Sequence, residues 1–124
     1  MKQQKFLLLL SGILGFTGVA LGAFGAHVLK NQITSEMLEI FKTGVFYQLI
    51  HTAVVLSIAL SGKDVLYKPA LFLISGIILF SFSLYLYALT NFGFFAFITP
   101  FGGVSFLAGW ALIIISFFRE KRKE

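Results

Sequence analysis

The stretch FLLLLSGILGFTGVALGAFGA, Phe6 to Ala26, carries no charged side chain over its whole length. A helix rises about 1.5 Å per residue, so roughly 20 such residues cross a hydrocarbon core of about 30 Å. Hydrocarbon offers no water to backbone amides, so the run must satisfy them internally, as a helix does. Working outward from it, three further apolar runs follow: Gly44 to Leu60, Ala70 to Thr90, and one that ends at Phe118. Hydrophobic residues make up 58% of the chain and charged residues 12%. The charges gather at the two ends and in the short breaks. The reading is all-α: an integral membrane bundle of four transmembrane helices in a single unit over 1–124, with spans at about 6–29, 44–60, 70–90 and 96–118.

The last span is the least regular. Gly103 to Phe118 is too short to cross, so the chain must enter the membrane earlier, near Phe94. Thr99-Pro100-Phe101-Gly102-Gly103 then lies at or just inside the interface. Proline removes a backbone donor and paired glycines weaken a helix. An irregular Pro/Gly break before the last span is therefore expected.

A net charge of +5 is compatible with nucleic acid as a partner, but here the cations flank apolar spans. Phospholipid headgroups are the better match, and no nucleic acid is implied. Lys2, Lys5, Lys63, Lys68, Arg119, Lys121, Arg122 and Lys123 fall on one side of a four-span topology, and only Lys30 and Lys42 on the other. Cations concentrate on the cytoplasmic side, so both termini are expected in the cytoplasm of a multi-pass cell-membrane protein. Lys2 and Lys5 before an apolar run that ends in small residues imitate a secretory signal. The run is long for that purpose and its glycines recur regularly, so we read it as a retained span.

Successive helix residues turn by about 100°, which puts Ser11, Gly15, Gly18, Gly22 and Gly25 on one narrow face. Such a seam lets another backbone approach closely, so Gly15, Gly18, Gly22 and Gly25 are assigned to helix packing. The second helix is expected to start before its span, at about Ser35. Thr34 or Ser35 would cap it, and Glu36 and Glu39 suit its positive end. Leu38, Phe41, Val45, Leu49 and Thr52 form one stripe along it. In the third span, Gly76, Ser83, Tyr87 and Thr90 share a face, while Ser81 and Tyr85 lie on another.

Polar residues able to bind or titrate fall mainly in the outer half of this topology. Tyr47, Gln48 and His51 project from one side of the second helix, on a face shared with Gly44. An intramembrane histidine is a functional candidate by default, although a neutral imidazole bonded to a neighbour is an equally ordinary solution. Tyr47, Gln48, His51, Tyr87, Thr99 and His27 are the candidate ligand-binding residues. No catalytic residue and no metal ligand set is identified. There is no cysteine, and none of the acids Glu36, Glu39, Asp64, Glu120 and Glu124 lies within a span. Haem ligation by His27 and His51 is disfavoured by their register, so no cofactor is expected.

Several motifs carry a resemblance. Leu21-Gly22-Ala23-Phe24-Gly25-Ala26-His27, Phe46-Tyr47-Gln48 with His51, Ser81 with Ser83-Leu84-Tyr85 and Ala88-Leu89-Thr90, and Ile98-Thr99-Pro100 with Gly102-Gly103 and Gly109-Trp110 occur in order. Together they resemble a small membrane family of unknown function that includes YwdK-like and YgdD-like bacterial proteins and eukaryotic transmembrane protein 256. The resemblance implies four helices and a cell-membrane location, and it supplies no activity, ligand or catalytic residue.

Two functional classes follow. One is a non-enzymatic protein that packs against itself or a partner membrane protein, using the glycine seam. The other is a protein that binds or transports a small molecule, lipid or ion through a polar pocket in the outer half. For topology, reporter fusions at Glu124 and Asp64 should give a cytoplasmic signal and one at Gln32 an extracytoplasmic signal; the opposite pattern would invert the bundle.

Overall fold

A computed structural model describes residues 2–124, and each apolar run is a helix: α1 Lys2–His27, α2 Ser35–Ser61, α3 Asp64–Thr90 and α4 Gly93–Lys123. No strand occurs among the described residues. α3 opens with a 3₁₀ turn at Asp64–Leu66 and contains a π-helical segment at Ile77–Ser81. The helices outrun the apolar spans at most ends, because polar residues continue the backbone hydrogen bonding into the interface.

Local chemistry sets the connections. Thr34 caps α2 by accepting a bond from the Met37 amide at 3.2 Å. Gly62, at φ 68°, ends α2 in the left-handed region that a residue without Cβ adopts freely. Asn91, at φ 55°, ends α3 in the same way, and its amide bonds Tyr87 O at 2.7 Å.

The glycine seam of α1 faces α2 of the same chain. A Cβ on Gly15 would lie 3.7 Å from Thr52, on Gly18 2.7 Å from Leu49, on Gly22 3.3 Å from Val45, and on Gly25 3.0 Å from Phe41. The register is antiparallel, and the stripe it meets is the one read along α2. In lipid there is no hydrophobic gain from pairing two apolar helices, so close backbone approach and dispersion contacts must hold them. A partner helix would therefore need another face than this seam.

A second small-residue contact joins α3 to α4. A Cβ on Gly76 would overlap the Phe106 ring, one on Gly109 would lie 2.6 Å from Leu73, and one on Gly102 would overlap the Phe80 backbone. The expected break at Thr99–Gly103 is corrected here. α4 runs unbroken through these residues, with Pro100 inside the helix and exposed. Pro100 costs only the one bond its missing N–H would have made, near the start of a 31-residue helix. Gly102 is where the two backbones come closest, so the glycine serves packing rather than disruption.

α1 packs along α2, and α4 along α3, which leaves α2 and α3 as the inner pair. Of their apolar windows, 44% is buried, against 22% for α1 and α4. The two termini share one end of the bundle. There Gln4 Nε2 donates to Gly62 O at 3.2 Å and to Asp64 at 3.0 Å, and Lys63 pairs with Glu120 at 3.3 Å.

Neighbouring glycines give a sharp test of the α3–α4 contact. Gly102→Ala should lower stability by about 1–3 kcal/mol, because the methyl must displace backbone. Gly103→Ala meets nothing within 4 Å and should be neutral. Thermal unfolding of both variants in one detergent checks this.

Candidate functional site

Gln48 is the middle residue of α2 and is fully buried. Its Nε2 donates to Leu14 O at 2.8 Å and to the Thr17 hydroxyl at 3.0 Å, and its Oε1 accepts from the Tyr85 hydroxyl at 2.6 Å. The amide orientation follows from chemistry: Leu14 O can only accept, so the nitrogen must face α1. One side chain at the middle of α2 thus ties α1, α2 and α3 together, with both donors and its acceptor engaged. Gly44 makes room for this, since a Cβ there would lie 2.7 Å from the Tyr85 ring.

His51, one turn further along α2, ties that helix to α4. Its Nδ1 lies 2.8 Å from Tyr47 O, and its Nε2 accepts from Trp110 Nε1 at 3.1 Å. A carbonyl only accepts, so Nδ1 carries the proton; an indole N–H only donates, so Nε2 is bare. The imidazole is therefore the neutral Nδ1–H tautomer with both nitrogens paired. It stacks on Phe106 with ring centroids 3.8 Å apart and 15° between planes, and Tyr47 packs beyond it against Phe80 at 4.6 Å.

Further along α3 and α4 the same logic repeats. Ser83 and Thr99 hydroxyls are 2.6 Å apart, and Ser105 donates to Phe72 O at 2.7 Å. Thr52 and Ser11 return their hydroxyls to carbonyls of their own helices. Ser81 is the single buried side-chain polar atom without a partner among the described residues.

The candidate residues do not converge on one pocket. Gln48 and His51 sit at the bundle centre, and Tyr47 is on the aromatic stack at its edge, 37% exposed. Thr99 is engaged with Ser83. Tyr87 lies at the end opposite the termini, lining an open hollow of about 590 Å³ with Gln32, Thr34, Glu36, Thr90 and Asn91. His27 is exposed at the end of α1. Tyr85 and Trp110 are not among the candidate binding residues, yet they complete the two central bonds. A tryptophan well inside a span is a readable signal, because its N–H needs a partner when it is away from the aromatic belts at the interfaces.

Four apolar helices held by neutral hydrogen bonds between side chains, with no charged side chain at mid-membrane, define a multi-pass membrane protein. Residues 21–103 match the family model described as a protein of unknown function (DUF423). The chain is 45% identical over 124 residues to the UPF0382 inner membrane protein YgdD of Escherichia coli strain K12, covering 97% of this chain and 95% of that one. It is 40% identical over 123 residues to a UPF0382 membrane protein of Haemophilus influenzae, covering 96% and 98% of the two chains. With the UPF0382 membrane protein YwdK of Bacillus subtilis strain 168 it shares 35% identity over 118 residues, covering 91% and 96%. The chain belongs to this DUF423 family of cell-membrane proteins of unknown function. No solved structure matches it.

Trp110 is the only tryptophan, so its emission reports the bond to His51 directly. His51→Leu should shift that emission and cost about 1–2 kcal/mol, because the indole N–H loses its acceptor. His51→Gln, which keeps an acceptor, should cost less. Tyr87→Phe should change neither the emission nor the melting temperature.

Proposed function

We propose that this protein is a non-enzymatic multi-pass protein of the cell membrane that works through its helix surfaces, on a second copy or on a partner membrane protein. Both termini lie in the cytoplasm in this reading, supported by eight cations at the terminal end against two at the other. The observation that carries it is the fate of the central polar residues. Gln48 and His51 have every donor and acceptor engaged within the chain, so they act as ties between helices.

Because α2 occupies the glycine seam, association needs an outward face. α1 offers one at Gly12, where a Cβ would meet nothing within 4 Å. The hollow beside it is about 610 Å³ and is lined by Leu8, Leu9, Ile13 and Phe16, with Lys5 and Thr17 at its ends. A small residue among large ones lets a neighbouring helix approach. The hollow lined by Tyr87, Glu36, Thr90 and Asn91 supports the second reading, capture of a small polar molecule or ion at the outer end.

The chain lacks cysteine, so single-cysteine cross-linking in native membranes separates the two. Gly12→Cys should give a covalent dimer or a conjugate of defined mass, whereas Leu107→Cys on the outward face of α4 should not. Equal cross-linking at both positions, or none at Gly12, would remove the association reading.

A further inference from the structure

Ser81 is fully buried in α3, and its hydroxyl is the one buried side-chain polar atom without a partner among the described residues. It also closes the π-helical segment Ile77–Ser81. The two facts have one cause. Elsewhere in this chain a helical hydroxyl donates to the carbonyl four residues back, as Ser11, Thr52, Ser57, Ser75 and Ser116 do at 2.6–2.9 Å. For Ser81 that carbonyl is Ile77 O, which accepts instead from the Phe82 amide across the wider π turn.

A π segment inserts one extra residue into an α-helix, so everything beyond it is turned by about 100°. The sequence of α3 does not require the insertion. At about 100° per residue, Ala70, Ile74, Ile77, Ser81, Tyr85 and Ala88 fall within an arc of about 80°, one face of an uninterrupted helix. All six are buried. The neighbouring helices are what hold the insertion in place. Toward Asp64, α3 is fixed on α4 by Gly76 against Phe106 and by Leu73 against Gly109. Toward Thr90, Tyr85 bonds Gln48 at 2.6 Å and Ser83 bonds Thr99 at 2.6 Å. Between these two sets of contacts, Gly102 lies against the backbone at Leu79 and Phe80, inside the π segment.

From this coincidence we infer that α3 is a two-register switch with its hinge at Ile77–Ser81. In the register seen here the π segment holds Tyr85 on Gln48 and leaves Ser81 unpaired. In the other, α3 is a straight α-helix. Ser81 then donates to Ile77 O, residues 82–90 are turned by about 100°, and residue 82 stands where Ser83 stood. The exchange gives up two bonds between helices and gains one within α3. Such bonds are individually weak between membrane helices, so a bound molecule or a partner helix can tip the balance. Tyr87 and Thr90 belong to the part that turns, and they line the hollow at the end opposite the termini. The register of α3 therefore sets the shape of that hollow.

Disulfide trapping in native membranes tests the switch, since the chain has no cysteine of its own. Ser83→Cys with Thr99→Cys reads the π register, and Phe82→Cys with Thr99→Cys reads the straight one. Tyr85→Phe removes the Gln48 bond and should lower the ratio of the first disulfide to the second about fivefold. Adding Ser81→Ala removes what the straight register gains and should return the ratio toward its original value. A ratio that Tyr85→Phe leaves unchanged, or that Ser81→Ala does not restore, overturns the switch. A second readout needs no cysteine pair, in case Phe82→Cys does not fold. Ser81→Ala should raise the melting temperature of the otherwise native chain, where the hydroxyl is unpaired, and lower that of Tyr85→Phe, where it is bonded. The same sign in both backgrounds overturns the proposal as well.

Discussion

A primary amide buried within a bundle of membrane-spanning helices is the constraint on which the rest of this structure depends. Gln48 carries two donors and an acceptor to a depth where no water can serve them, and an unpaired group there costs several kcal/mol. The fold answers by bringing a carbonyl and a hydroxyl of α1 and a phenol of α3 to one side chain. His51 applies the same demand to α4 through Trp110. Apolar contacts alone do not choose among helix registers in lipid, because every apolar face is nearly as content against acyl chains. Polar groups that must find specific partners do choose, so the two ties set the register of all four helices.

Small residues make those ties reachable. Gly18 lies against Leu49 and Gln48, so α1 comes near enough for Leu14 O to accept from the amide. Gly44 admits the Tyr85 ring over the backbone of α2. Gly76, Gly102 and Gly109 do the same between α3 and α4. Glycine weakens a helix through its backbone entropy, but a transmembrane helix has that cost covered by backbone bonds that cannot be traded for water. The inner pair, α2 and α3, then presents two packed faces each, while α1 and α4 present one face to the bundle and one to lipid.

Much of this was legible in the residues themselves. Uncharged runs of spanning length defined four helices, and the periodic glycines of α1 marked a packing face whose partner stripe on α2 could also be read. Gln48 and His51 stood out because intramembrane polar groups need partners. Their partners did not stand out, since Tyr85 is 37 residues from Gln48 and Trp110 is 59 from His51. Helical periodicity reports which residues share a face, not which helix that face meets. Ser81 and Tyr85 were correctly placed on a different face from Ser83, but a central helix buries both. Pro100 and Gly102 misled for a related reason: both are breakers in water, whereas in a membrane one is tolerated facing lipid and the other permits close contact.

The central claim is that Gln48 is a structural tie rather than a ligand group, and a double-mutant cycle tests it most directly. Gln48→Leu, Tyr85→Phe and the double variant are unfolded reversibly in one detergent and their stabilities compared. The account predicts that the second substitution costs far less once the first is made, with a coupling of about 0.6–1.7 kcal/mol. Strictly additive losses, with no coupling between the two positions, would contradict it.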